Sequence, residues 1–168
     1  MHIRTAQTED LLQIASIGKR SFLAAFLNEG NKEEVIAYVH QVYDPSALKR
    51  RFSDAENSFL VAEEEKDVVG FAELNHEKPG HGLSSASLKL ERLYLDPDCI
   101  GKGYGAALMK ECFSRCKEQK SEFLWLQVLR SNKQAITFYE HWGFKEFNRS
   151  PAKFKADNEL DLWLWSRS

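Results

Sequence analysis

Three glycines in five residues, Gly101, Gly103 and Gly105, alternate with Lys102 and Tyr104 between a β-prone run ending at Leu95 and good helix formers from Ala106 to Lys110. Glycines let successive main-chain N–H groups turn toward one point and let a bulky anion come close. The first turn of the following helix adds unpaired donors and the positive end of its dipole. The stretch 88–110 therefore reads as a phosphate cradle between strand and helix, with Asp96-Pro97 closing the strand because proline cannot continue a ladder. A P-loop would need Gly-Lys followed by Ser or Thr, and Gly101-Lys102 is followed by Gly103. The dinucleotide pattern is met literally by Gly101, Gly103 and Ala106, but the strand before it carries Lys89, Glu91 and Arg92, where a buried parallel strand should be nearly all apolar. No acidic residue closes a second strand about 20 residues on to bind a ribose.

Other chemistry-bearing residues are sparse. Cys99, Cys112 and Cys116 are an odd set without Cys-x-x-Cys or a histidine cluster, so neither a disulfide framework nor a metal site is expected. Cys112 and Cys116, four apart on a helix, read as small hydrophobes on one packed face, while Cys99 lies in the loop. His76, His81 and His141 have no nucleophile or partner at motif spacing and read as loop or surface residues. The formal charge of -2 over 168 residues gives no bulk attraction to nucleic acid or anionic membrane, and Lys49-Arg50-Arg51 reads as a solvated helix face. No signal-like segment or apolar run of about 18 residues is present, so a cytoplasmic protein is expected.

The elements that must position these residues follow from periodicity and caps. A strand at 2–5 precedes a helix capped by Thr8, with Leu11, Ile14, Ala15, Phe22, Ala25 and Phe26 on its apolar side. Asn31 with Glu34 starts a second helix and Asp44-Pro45 a short third one. Strands at 58–62 and 68–75 form a hairpin over 64–67, and the strand containing Glu91 follows a loop at 76–84. Helix 103–120, strand 123–128, helix 132–142 and strands at 144–148 and 160–165 complete the chain. Strict alternation on the central strand would put Lys89, Glu91, Leu93 and Leu95 on one face and Leu90, Arg92 and Tyr94 on the other. The fold class is α/β, a mixed sheet flanked by helices in one domain spanning 1–168.

Two motifs in this order resemble the GNAT (Gcn5-related) N-acetyltransferases. Their acetyl-CoA pyrophosphate loop follows a Val-x-Pro strand end and reads Arg/Gln-x-x-Gly-x-Gly/Ala. Here Leu95-Asp96-Pro97 precedes Ile100-Gly101-Lys102-Gly103-Tyr104-Gly105, departing at Ile100. Because the cradle is mainly main chain, the resemblance implies a loop that survives with less side-chain support. The second motif, Asn-x-x-Ala-x-x-Phe-Tyr-x-x-x-Gly-Phe, is matched by Asn132, Ala135, Phe138, Tyr139, Gly143 and Phe144. Singly, these are a helix cap, core residues and a C-terminal glycine; their joint spacing about 30 residues after the loop is what packing leaves unexplained. The resemblance covers essentially the whole chain and implies the GNAT acyl-CoA N-acyltransferase fold, order β-α-α-β-β-β-α-β-α-β with a short extra N-terminal helix.

It also implies roles. Acetyl-CoA would be held by Leu93, Tyr94 and Leu95 at the pantetheine arm, by Ile100, Gly101, Lys102, Gly103, Tyr104, Gly105 and Ala106 at the pyrophosphate, and by Asn132 and Tyr139. A strand N–H would serve the oxyanion and Tyr139 would protonate the departing thiolate; an unperturbed phenol, with a pKa of about 10, keeps its proton at neutral pH. Glu91, nine positions before Ile100, matches a glutamate that polyamine acetyltransferases use to drain the amine's proton through water. The acceptor side would use Phe22, Phe26, Glu29, Glu33 and Tyr38, where aromatics could line a methylene chain and carboxylates hold distal ammonium groups. In these features the chain resembles the bacterial spermidine/spermine N-acetyltransferase branch more than the ribosomal-protein branch. The expectation is therefore an acetyl-CoA-dependent enzyme acting on a small-molecule amine such as a polyamine, without metal, nucleic acid or membrane, and with homodimerisation open. The alternatives are a non-catalytic CoA-binding or protein-interaction module and an enzyme acetylating protein or peptide amino groups.

Overall fold

The computed structural model describes residues 1–28, 31–76, 86–151 and 159–166, with side chains described up to Arg149. Its strands are β1 (His2–Thr5), β2 (Asn57–Glu64), β3 (Asp67–Asn75), β4 (Ser87–Leu95), β5 (Phe123–Leu129), β6 (Lys145–Pro151) and β7 (Glu159–Ser166). Its helices are α1 (Leu11–Phe26), α2 (Lys32–Val42), α3 (Pro45–Ser53), α4 (Tyr104–Glu118) and α5 (Lys133–His141). The strands form a seven-stranded sheet in the order β1-β2-β3-β4-β5-β7-β6. β4 and β5 pair in parallel and every other pair is antiparallel, so the sheet is mixed as expected. No helix among the described residues is long and apolar enough to cross a membrane.

Local chemistry sets the element ends. The β2–β3 hairpin turns on Glu65 and Lys66, both at positive φ (51° and 78°), the backbone of a two-residue turn whose twist matches the strands. Asn31 Oδ1 accepts from the Glu33 and Glu34 amides to start α2, and Asp44 Oδ1 accepts from those of Ser46 and Ala47 to start α3 with Pro45 in its first turn. Thr8, expected to cap the first helix, instead opens a 3-10 turn, Thr8–Asp10, ahead of α1. The Asp10 carboxylate takes the capping part, accepting from the Gln7 amide at 2.7 Å while a two-pronged pair with Arg4 holds it in place. A charged, pre-oriented acceptor is stronger here than a freely rotating hydroxyl.

Two cores clad the sheet. One face packs α4 and α5 through Leu108, Met109, Cys112, Cys116 and Phe138, joined by Phe144 just after α5, onto Leu74, Leu88, Leu90, Leu124 and Leu126. The other packs α1, α2 and α3 through Ile14, Phe22, Phe26, Val35, Val39 and Leu48 onto Phe59, Val61 and Phe71. Ala25, expected on the buried side of α1, is exposed, and Ile17 and Gly18 take its place. The exchange is steric: a Cβ at Gly18 would stand 2.2 Å from Tyr43 Cζ, so only glycine lets α1 lie against that ring. Cys112 and Cys116 are buried together as expected, and Cys99 is buried as well.

Candidate active site

The site begins where β4 leaves β5. Parallel pairing runs from Ser87 opposite Phe123 to Leu90 opposite Leu126 and stops. On its other side β4 stays paired with β3 to Leu95. Beyond Leu90 the β5-facing edge of β4 therefore has main-chain donors and acceptors with no strand partner, and a cavity of about 1690 Å³ opens along that edge. It is lined by Leu93, Tyr94 and Leu95 from β4, by Ile100, Gly101, Gly103, Gly105 and Ala106 from the loop and α4, and by Asn132, Phe138 and Tyr139 from α5. Phe22, Phe26 and Tyr38 line its other end, together with Glu91, Arg92 and Arg51.

A bulge in β4 aims the charged side chains. Glu73 of β3 pairs with Arg92 but its neighbour Leu74 pairs with Leu90, which leaves Glu91 as the extra residue. Strict alternation, with Glu91 sharing a face with Leu93 and Leu95, does not survive it. Leu88 and Leu90 before the bulge and Leu93 and Leu95 after it all pack toward α4, whereas Tyr94 packs toward α1–α3 and stands edge-on to Phe71. Glu91 and Arg92 consequently share the α1–α3 side. The Glu91 carboxylate lies 2.7 Å from Lys89 Nζ and 3.7 Å from Arg92 Nη1, and accepts from Asn75 Nδ2 at 3.3 Å. Burial would raise its pKa, but the charges of Lys89 and Arg92 prevail and hold it below the ordinary glutamate range.

The glycine loop has the backbone of a cradle. Gly101 and Gly103 have φ of 84° and 89°, and a Cβ built on either would meet nothing within 4 Å, so open space lies above them. Gly103 is the N-cap of α4, and among the described residues no side-chain cap bond serves that helix start. Unclaimed helix-start donors over open space fit the phosphates of a coenzyme A. Asp96 fixes the approach, accepting from the Asp98 amide and receiving both Arg20 guanidinium nitrogens at 2.8 and 3.1 Å, while Ser21 Oγ donates to the Leu95 carbonyl. Ile100, 53% exposed, offers the cradle no polar group.

Most of the expected site residues meet in this cavity, and the exceptions have physical reasons. Lys102 is exposed and off the lining. Tyr104 is turned inward, where the nearby Glu64 carboxylate and burial push its phenol up to about 12, so only its main chain can belong to the cradle. Glu33 lies exposed in the first turn of α2 and off the lining, and Glu29 lies outside the described residues, as does His81. Cys99 is only 9% exposed and off the lining. Asn132 both caps α5, accepting from the Ala135 amide at 3.1 Å, and lines the cavity. Tyr139 packs against Phe138 and Phe144, and burial pushes its phenol well above the usual range.

The sequence reading missed Arg51. Lys49 and Arg50 are exposed as expected, but Arg51 turns inward from α3, donating from Nε to Glu73 at 2.9 Å and from Nη1 to the Val42 carbonyl at 2.7 Å. A glutamate in the middle of the apolar run of β3 was the available signal, since a buried carboxylate demands a cation. The side chain of Tyr94 was missed likewise, having been read only as main chain. Among the described residues, no group of three His, Cys, Asp or Glu could hold a metal ion.

Comparison with known proteins agrees with this geometry. The model of the acetyltransferase (GNAT) family matches residues 19–144. An uncharacterised N-acetyltransferase of Mycobacterium tuberculosis is 25% identical over 152 residues, 90% of this chain and 94% of its own. In fold, the chain is similar to the PaiA N-acetyltransferase from Thermoplasma acidophilum in complex with coenzyme A, with a TM-score of 0.81 and 22% identity over 99% of this chain and 98% of that one. It is similar also to yncA from Salmonella typhimurium with its cofactor acetyl-CoA, with a TM-score of 0.69 and 20% identity over 99% and 93%. Neither these relatives nor their likeness to this chain singles out a spermidine/spermine branch.

Proposed function

Since this chain belongs to the acetyltransferase (GNAT) family and is an acetyl-CoA-dependent N-acetyltransferase, we propose that it acetylates a primary amine directly, with no acetyl-enzyme, the whole chain acting as one domain. The observation that carries this is the lining of the cavity: strand edge, glycine loop, Tyr139 and Glu91 face one space, and no cysteine is among its described lining residues. Acetyl-CoA, when bound, supplies the acetyl thioester. The amides around Gly101 and Gly103 and the first turn of α4 hold its pyrophosphate, and the unpaired edge of β4 at Leu93–Leu95 holds its arm.

Tyr139 keeps its proton through the whole neutral range and gives it to the departing sulfur. Glu91 stays ionised and takes up the proton shed by the amine; because its cations make it a weak base, it acts as a relay rather than a final acceptor. A cytoplasmic enzyme acting on a small molecule is part of the same reading, since acetyl-CoA is a cytoplasmic metabolite.

A polyamine, the narrower expectation for the acceptor, draws less support from the lining. It calls for carboxylates facing the acceptor, and among the described lining residues these are Asp44, which caps α3, and Glu91, which Lys89 engages. Phe22, Phe26 and Tyr38 suit a methylene chain whatever its ends carry. The test is thiol release from acetyl-CoA with diamines, spermidine, amino acids and amino-terminal peptides, on wild type, Tyr139→Phe and Cys99→Ala. The proposal expects Cys99→Ala to keep most activity and Tyr139→Phe to lose kcat about 10²-fold with unchanged CoA affinity. An acetylated protein accumulating without acceptor would refute direct transfer.

A further inference from the structure

With the glycine loop and the strand edge assigned to acetyl-CoA, the part of the cavity under α1, α2 and α3 is left for the acceptor, and its charged wall is unlike one built for a polycation. Arg50, Arg51, Lys89 and Arg92 line it, against Asp44 and Glu91. Beneath it Glu73, 1% exposed, divides its two oxygens between Arg51 Nε at 2.9 Å and Arg92 Nη1 at 2.7 Å, holding two guanidinium groups on one carboxylate. Arg51 is fixed a second time by the Val42 carbonyl on Nη1, so its fork cannot swing out to water. Its remaining nitrogen, Nη2, is buried and finds no hydrogen-bond partner among the described residues.

Nor does the hydroxyl of Tyr43, a residue 1% exposed that feels the charges of Arg92, Glu73 and Arg51. Both atoms are closed to solvent and do not themselves meet a ligand, but one carboxylate shared by two guanidinium groups leaves positive charge behind the cavity wall, which favours an anion.

We propose that the acceptor is a small amine that also bears a carboxylate, and that this carboxylate docks on the guanidinium of Arg51, braced by Glu73 and flanked by Arg92. This rests on the acetyltransferase reading above. A guanidinium held on Nε and Nη1 presents its charge rather than a free fork, and that charge attracts a carboxylate and repels the second ammonium of a diamine. Docking at that end leaves the amine directed along β4, past Glu91, toward the strand edge at Leu93–Leu95. Arg51 thus sets specificity by touching the acceptor away from the reacting atoms.

The experiment pairs each of several α-, β- and γ-amino acids with its own primary amide, alongside 1,4-diaminobutane and spermidine, and measures kcat/KM by thiol release on the wild-type chain. A charge-assisted pair predicts that the best carboxylate acceptor exceeds its amide by about tenfold or more. Arg51→Gln should collapse that ratio by raising KM for the acid while kcat falls little and the Kd for coenzyme A stays put; Arg51→Lys, which keeps charge but not the fork, should restore part of it. Amides or diamines used as well as or better than amino acids would overturn the inference. That result leaves the acetyltransferase reading intact. Failure of coenzyme A to bind at all would remove that reading and this inference together.

Discussion

Glu91 shows how little a residue's type says before its neighbours are placed. With its pKa held down by Lys89 and Arg92, the carboxylate is already ionised throughout the neutral range. Its removal should therefore cost the same factor at every pH where the protein is folded and active. Glu91→Gln is expected to lower kcat/KM by about 10²-fold uniformly from about pH 6 to 8, leaving any acid limb to the acceptor amine. A loss concentrated at low pH, found by comparing the two pH profiles, would show that Glu91 titrates there. Asp10 is the structural counterpart. The hydrogen bonds from Arg4 hold its folded-state pKa below the unfolded value of about 3.9, so its stabilisation is complete above that value and is lost as pH falls through the folded pKa. Asp10→Asn should cost about 2 kcal/mol at pH 7 in a urea titration and flatten the dependence of Tm on pH below 4.

At the scale of elements, the loop and α1 each depend on one glycine, for opposite reasons. Gly103, at φ 89° and capping α4, faces open space, so Gly103→Asp adds backbone strain and a like charge beside the phosphates. Affinity for coenzyme A should fall by more than about tenfold, read by calorimetry, while thermal stability drops by only about 1 kcal/mol, the scale of a single left-handed non-glycine residue. Gly18 is the opposite case. Its φ is ordinary but a Cβ there would stand 2.5 Å from the Tyr43 hydroxyl and nearer still to its ring. Gly18→Ala should cost about 1–3 kcal/mol in chemical denaturation, because Tyr43 is locked between α1 and the sheet and the chain must shift to admit a methyl group.

Over the whole molecule, acetyl-CoA should act as a mass-action stabiliser, since the loop, α4, β4 and α5 that would hold it come together only in the folded chain. Saturation at about 100 Kd contributes about 2.7 kcal/mol, which for a chain of this size should raise Tm by about 5–10 °C in a thermal melt. An unmoved melt would count against the loop as its site. The sequence alone determined the family and the element order, because glycine spacing, the Asn132 and Tyr139 motif, helix caps and hydrophobic period are local and each survives without knowledge of its neighbours. The structure then brings the glycine loop, Tyr139, Phe22, Phe26 and Tyr38, all singled out from the sequence, to the lining of one cavity. Tertiary structure decided what pairing decides. One extra residue in β4, visible only in its register with β3, turned Glu91 and Arg92 to the α1–α3 side and upset strict alternation. Arg51, alike in sequence to Lys49 and Arg50, was separated from them only because α3 sets it against a carboxylate buried in β3, and a buried charge takes the partner that the fold brings within reach.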